Sequence, residues 1–448
     1  MQTIKNFTIV SYFDYNYGDM LIKNSFECIL KTVLQNLKME NCAVNRMSLK
    51  DIDENKIKKS DLICFAGGGL LGMSYLNFYD YVKRIIDVAE ENDIPVIFSS
   101  VGVNNMDYNA EDEYKIKELL NHNCIKSISV REQKEWFEYF VNRKDIEIEQ
   151  VCDPAMWSKY LIGEKSNASG KTKKIGINIV RRGLFKDNGY VWGKREEYEY
   201  IDNLISIAQR NNYDYVLYTN GNLGDNKELY EYVKSRNIPK NNYLYIETSH
   251  NLLETVQDFD FVCALRLHSA IISTSFNTPV INIVWNEKIK YFYDAIGHIE
   301  RAFEEDDVDL EKIEKIIVKE IGKKEKENQK YLMSTYLNIL KAIKNICEIT
   351  EEIPLLEFDE ICKSVASFYK KNKNEYIIED LKFRGNRLQI NFFAEREAYI
   401  ESKKKIGKLE KDISKLEKKN KKLENELKRI NQKPAVRVYR KIKRLIKK

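Results

Sequence analysis

The chain reads as an α/β protein: two Rossmann-like, doubly wound domains facing a cleft, then helices, a coiled coil and a basic amphipathic tail. Three observations predict this. Short apolar runs alternate with longer amphipathic ones through residues 1–162, the pattern of a parallel sheet covered by helices. The alternation restarts after a polar linker, 163–174 (GEKSNASGKTKK). Beyond about residue 305 the texture turns charged and helix-forming.

In the first domain the strands are expected at Phe7–Phe13, Ala43–Ser48, Leu62–Ala66, Pro95–Ser99, Ile125–Val130 and Ile146–Cys152. Helices at Tyr79–Glu91 and Ala110–Leu120 lie between them. The second domain, 175–348, has strands at Ile175–Val180, Tyr215–Thr219, Tyr243–Ile246, Phe261–Leu265 and Val280–Trp285, and helices over 308–348 are expected to close it. Residues 351–395 hold scattered aromatics on further helices. In the coiled-coil segment, 402–432, Ile406, Leu409, Ile413, Leu416, Asn420, Leu423, Leu427 and Ile430 recur at alternating spacings of three and four. A lone Asn at an a position favours a parallel two-stranded coil in one register, so a homodimer through 406–430 is expected. Interchain pairs Lys405–Glu410 and Lys419–Glu424 attract, while Asp412–Glu417 repels. Pro434 then opens a segment in which Ala435, Val438, Tyr439, Ile442, Leu445 and Ile446 make one helical face and cations the other. A basic amphipathic helix of this kind seeks an anionic membrane surface.

Charge separates body from tail. The net charge is +5, but residues 433–448 carry eight Lys/Arg and no Asp/Glu, so the remainder nets −3. That excludes a basic nucleic-acid-binding body. The eight cysteines occur singly, without a C-x-x-C pair, so neither a zinc site nor a disulfide scaffold is indicated. No metal or other cofactor is expected. Met1 leads into an apparent strand, with no secretory h-region and no apolar run of membrane-spanning length. The expected location is the cytoplasm, peripheral at the inner face of the cytoplasmic membrane.

The residues suited to chemistry follow the strands, where ligands bind in open α/β sheets. Arg266 and His268 alternate across the exit of the strand ending at Leu265, and Ser269 is expected to cap the following helix. Gly67, Gly68 and Gly69 follow the third strand and would open backbone N–H groups to an anion. They form neither a Walker A loop nor a dinucleotide fingerprint. Asn16 and Asp19 follow the first strand; Asp19 fits a sugar-hydroxyl ligand or a plain helix cap equally well. Arg131, Asp153, Arg181, Arg182 and Lys288 complete the rim. The cations among them predict a cationic cleft for a small anionic ligand.

This set resembles the polysaccharide pyruvyl transferase family. The resemblance rests on Asn16-x-Gly18-Asp19, Gly67-Gly68-Gly69, Ser129-Val130-Arg131, Asp153-Pro154, Arg266-Leu267-His268, and Trp285-x-x-Lys288 before Ala295-Ile296-Gly297. Glu132 stands where the family commonly has Asp, and Trp285 where Tyr is usual. Val101-Gly102-Val103-Asn104 is a loose form of the usual glycine-rich turn. The resemblance implies a GT-B-like fold and transfer of pyruvate from phosphoenolpyruvate onto sugar hydroxyls as a ketal. The glycan would belong to a cell-surface polysaccharide or its lipid-linked precursor.

The implied chemistry suits His268 as general acid or base, a group expected near neutral pKa. Arg266, with Arg181 or Arg182, would take the donor anion, supported by Arg131, Lys288 and the three glycines. Asn16, Asp19 and Asp153 would meet the acceptor. Two rivals remain open. A GT-B nucleotide-sugar glycosyltransferase would hold its ribose with a carboxylate such as Asp225 or Glu247. A non-catalytic dimeric scaffold would retain only a vestigial cleft.

Overall fold

The computed structural model describes residues 4–12, 16–71, 78–103, 109–163, 172–390 and 396–432. The chain divides into two compact units, Met1–Lys373 and Asn374–Lys448.

The first unit contains two wholly parallel sheets. One has six strands: β1 (Asn6–Ser11), β2 (Ala43–Ser48), β3 (Leu62–Leu71), β4 (Val96–Val103), β5 (Ile125–Val130) and β6 (Ile148–Gln150), in the order β2-β1-β3-β4-β5-β6. The other has five: β7 (Lys174–Asn178), β8 (Asp214–Tyr218), β9 (Phe261–Ala264), β10 (Val280–Val284) and β11 (Ala302–Glu304), in the order β11-β10-β9-β7-β8. Both orders run outward from a central strand in two directions, which is the doubly wound arrangement. The central strands β1 and β7 are buried along all but their first residue, as expected of a parallel sheet covered on both faces. Val10, Ile63, Phe65, Val96, Phe98 and Ile128 belong to one core, and Ile175, Ile177, Phe261, Cys263, Ile281 and Ile283 to the other.

Several expectations are corrected. β3 does not end at Ala66. Gly67 and Gly68 adopt φ of 56° and 79°; pairing with β4 keeps its register through Gly68↔Val101 and shifts between there and Leu71↔Val103. The glycines are thus an irregularity inside a long strand rather than a strand-to-helix turn. β4 likewise continues through Gly102 to Val103. Asn104 lies outside the described residues. Tyr243–Ile246 makes only an isolated bridge, Leu217↔Tyr243, at the edge of β8. β11 was not foreseen; three residues are too short for a periodic signal.

The helix Leu310–Glu320 buries Ile313 and Ile317 in the second core, as expected. The helix Gln329–Ile346 does not join it there. It returns to the first sheet, where Ser334 and Thr335 bond the backbone of Cys152 at 2.9 and 2.7 Å and Asn338 donates to Glu149 at 2.8 Å. The start of the helix Phe358–Ile390 packs alongside: Thr32 donates to Ser364 at 3.0 Å, and the His250 ring stacks on Tyr369.

In the second unit one continuous helix, Arg396–Gln432, carries the heptad segment. Lys382 and Glu410 approach to 3.7 Å. Leu416 and Leu423 are 54% and 52% exposed, while Ile406, Leu409 and Ile413 are half-buried, so the apolar stripe is uncovered in the single chain from Leu416 onward. The side chains of Leu427 and Ile430, and the whole tail 433–448, lie outside the described residues. No described helix is long and apolar enough to cross a membrane. All eight cysteines are unbonded.

Candidate functional site

Helix N-termini from both sheets converge on one place. From the first sheet, Asn16 caps the helix Tyr17–Asn36, its side chain accepting from the Asp19 N–H at 3.2 Å. Asn16 rather than Asp19 is therefore the cap, and Asp19 stands at the third helical position. From the second sheet, β9 ends at Ala264 and the helix Leu267–Ser275 begins two residues later. Its N-cap is Arg266, which makes no side-chain cap bond, so the first-turn N–H groups lack a capping side chain. Ser269 is not the cap. Its hydroxyl is buried against the Tyr218 hydroxyl instead.

His268 joins the two sheets. Its Nδ1 is 3.7 Å from Asp19 Oδ1, and its Nε2 is 3.9 Å from Asp153 Oδ2. Nε2 is buried without a hydrogen-bond partner among the described residues. Gly18 permits this approach: a Cβ there would lie 2.4 Å from His268 Cβ. The neighbouring Tyr17 N–H donates to the Asn220 carbonyl at 2.8 Å, and its hydroxyl meets the Glu247 carbonyl, so the first turn of this helix is pinned to the second half.

Asp153 and Arg131 form the floor. Arg131 is 7% exposed, with Nε 2.6 Å from Glu132 Oε2 and Nη1 2.6 Å from Asp153 Oδ2. The other Asp153 oxygen accepts from the Ala155 N–H at 2.8 Å.

Arg266 is held from behind by Asp225, which is fully buried. Nη2 and Nε meet its two oxygens at 2.6 and 2.9 Å, a bidentate pair. The Arg266 backbone N–H donates to Asn178 Oδ1 at 2.9 Å, and the guanidinium lies 5.9 Å from the Trp285 ring centroid. Nη1 makes no bond with any described residue. Lys288, second residue of the helix Glu287–Ala295 capped by Asn286, is close enough to Arg131, Glu132 and Asp19 to share their field.

Burial reshapes the titration of these groups. Desolvation lifts the Asp19 carboxyl to about 7, against the pull of Arg131, Arg266 and Lys288. Desolvation and the same three cations press His268 down to about 4, although Asp153 favours its charge. Lys288 falls to about 8, through burial and the neighbouring Arg131. His268 is thus a neutral imidazole at pH 7 rather than a group titrating near neutrality.

The expected cationic cleft is also corrected. Arg131 is matched by Glu132 and Asp153, and Arg266 by Asp225. Arg182, half-exposed, turns to Glu228 at 3.6 Å and to Glu231, and Arg181 pairs with Asp187 at 2.6 Å. Only the Arg181 N–H reaches the centre, donating to Asp225 at 2.8 Å. Gly67 packs on Ile22 and on Pro154, next to Asp153.

The structure therefore brings together Asn16, Asp19, Arg131, Asp153, Arg266, His268 and Lys288. The side chains of Arg181 and Arg182 point elsewhere. Two further residues contribute in roles the sequence does not give them. Asp225 follows the cap Asn222 at a strand exit, a signal visible in the sequence but assigned to a ribose. Tyr331 arrives on the returning helix, its phenol pushed far up by burial near Asp153 and Glu132, and no local pattern announces it.

Comparisons extend the geometry. The chain resembles an uncharacterised protein of Klebsiella pneumoniae at 13% identity over 67% of this chain and 92% of that one, with a TM-score of 0.36. It resembles UDP-GlcNAc 2-epimerase from Methanocaldococcus jannaschii at 9% identity over 83% and 99%, with a TM-score of 0.44. It resembles UDP-GlcNAc 2-epimerase from Neisseria meningitidis at 10% over 76% and 100%, with a TM-score of 0.39. No curated protein matches. The family profile for polysaccharide pyruvyl transferase matches residues 16–287, from the Asn16 cap to Glu287 beside Lys288, and the chain belongs to that family.

Proposed function

We propose that the protein transfers pyruvate from phosphoenolpyruvate onto a pair of sugar hydroxyls as a ketal, on a cell-surface glycan or its lipid-linked precursor. The donor brings a phosphate and a carboxylate. The Nη1 edge of Arg266, the uncapped N-terminus of the helix Leu267–Ser275 and Lys288 supply cationic and N–H partners for such an anion. The observation that carries this reading is the Asp225 clamp, which holds Arg266 in one orientation beside His268. Asp153, fixed by Arg131, and Asn16 face the acceptor. His268, as a neutral imidazole, accepts a hydroxyl proton and passes it to the departing phosphate.

The same clamp weighs against a nucleotide-sugar transferase. Asp225, a carboxylate such an enzyme would offer to the ribose, is spent on Arg266 and the Arg181 N–H.

The heptad stripe Ile406–Leu423, exposed at Leu416 and Leu423, takes a second copy in parallel register, and the tail 433–448 takes an anionic membrane surface near the acceptor. Neither role enters the chemistry.

The test is phosphate release from phosphoenolpyruvate with glycan acceptors, alongside thermal shift with phosphoenolpyruvate and with nucleotide sugars. Only the donor raises the melting temperature by mass action. His268→Ala and Arg266→Ala each lower turnover about a hundredfold or more while remaining folded, and Arg266→Ala also weakens donor binding. Near wild-type phosphate release from both variants removes the site from the reaction.

A further inference from the structure

Two carboxylates flank His268, and they are not equivalent. Asp153 is committed at both oxygens, to Arg131 at 2.6 Å and to the Ala155 N–H at 2.8 Å. Asp19 meets no lysine or arginine at ion-pair distance among the described residues. One oxygen stands 3.7 Å from His268 Nδ1, and the other meets the Asn16 amide. It is a part-buried carboxyl at the seam between the two halves, beside the His268 imidazole. We infer that Asp19 is the group that protonates the methylene carbon of the donor, and that it waits there as a neutral carboxylic acid. This rests on the proposed donor.

The groups facing Asp19 pull in both directions. Arg131, Arg266 and Lys288 favour its anion, Asp153 opposes it, and burial outweighs the cations, leaving it at about 7. His268 faces Asp153, Arg131, Lys288 and Arg266 and stands at about 4. At pH 7 about half of Asp19 carries a proton, against about one part in a thousand of His268. The carboxyl is the available acid and the imidazole the available base.

The protons then balance. The Asp19 proton goes to the methylene carbon, and the carbon–carbon π pair forms the new C–H bond. The adjacent carbon takes the first hydroxyl oxygen, whose proton passes to His268 Nε2. The second hydroxyl oxygen bonds to the same carbon as the C–O bond to phosphorus breaks, and phosphate leaves with the bonding pair. The second hydroxyl proton restores Asp19, and His268 yields its proton to phosphate. Of the two hydroxyl protons, one ends in the methyl group and one on phosphate.

The test compares wild type, Asp19→Asn, Asp19→Glu and His268→Gln in the pH profile of kcat/KM. Wild type is expected to lose activity as pH rises through about 7, as the acid ionises, with a second loss near 8 as Lys288 does. Asp19→Asn loses at least a hundredfold in rate and the limb near 7. Asp19→Glu keeps a falling limb at a reduced rate, and His268→Gln keeps the limb near 7. A limb near 7 that persists in Asp19→Asn, or vanishes in His268→Gln, overturns the assignment. Infrared difference spectra of unliganded wild type against Asp19→Asn give a readout that needs no turnover and reports on the native fold directly. A protonated-carboxyl stretch at pH 6, lost by pH 9, supports the assignment, and its absence overturns it. Failure of wild type to release phosphate from phosphoenolpyruvate instead condemns the donor, whatever the infrared band shows.

Discussion

Arg266 presents two edges, and Asp225 holds one of them at 2.6 and 2.9 Å. Removing one partner of a buried pair strands the other charge, which costs about 3–5 kcal/mol. Asp225→Ala is therefore expected to lower the melting temperature and to weaken phosphoenolpyruvate binding at least tenfold, because the guanidinium loses its orientation. Calorimetric titration beside thermal unfolding checks both, and an unchanged dissociation constant rejects the clamp. Lys288 supplies the pH dependence of binding. Its ammonium is lowered to about 8 by burial and by Arg131, so the charge is present below that value and lost above it. Donor affinity should fall about tenfold between pH 7 and pH 9, the limit of one lost charge over one unit beyond the pKa. Lys288→Ala should bind weakly and show no such slope. A wild-type affinity that is flat across this range disproves the role.

At the scale of elements, the site is an assembly of helix N-termini. Asp19, Asp225, His268 and Lys288 each lie within the first three residues of a helix, and each of those helices begins within six residues of the end of a strand. That placement explains why strand exits were informative in the sequence: wherever an apolar run gives way to polar residues and a cap, the chain leaves the sheet at the cleft. Gly67–Gly69 broke the rule, since glycines serve a bulge as readily as a loop. The coil is a second element-scale matter. With Leu416 and Leu423 more than half exposed on the helix Arg396–Gln432, a partner helix would bury them, and Asn420 would fix its register. Light scattering at micromolar concentration should report a dimer, and a chain lacking residues 396–448 a monomer. Asn420→Leu should stabilise the coil and admit other oligomers. A monomeric full-length chain sinks the proposal.

At the scale of the whole molecule, the excess positive charge resides in the last sixteen residues, since 433–448 carry eight cations and the rest nets −3. Each Lys or Arg at an anionic surface contributes about 1 kcal/mol, screened by salt. Dimerisation would present two such tails at one end of a rod of ~40 Å. Flotation with anionic vesicles should be strong, weaker in high salt, and lost on deletion of 433–448. Equal flotation after that deletion places any membrane contact elsewhere.

The class of the fold, the position of most strands and the identity of the residues at strand exits were legible because each depends on local pattern. Apolar runs bounded by polar caps form most of the buried parallel strands, Tyr243–Ile246 being the exception. The strands Ala43–Ser48 and Ile125–Val130 and the helices Tyr79–Glu91 and Ala110–Leu120 fall where the pattern puts them. The charge state of the site was not legible. Whether Arg131 or Arg182 greets a ligand depends on which carboxylate stands within 4 Å, and Glu132, Asp153, Glu228 and Glu231 were placed there by sheet order and helix packing. The return of Gln329–Ile346 to the first sheet, which brings Tyr331 near Asp153, joins residues far apart in the chain. Composition determined what this protein could bury and which side chains it could offer. Only tertiary structure decided which of them are buried together, and burial in turn moved Asp19 and His268 to opposite sides of their usual titration ranges.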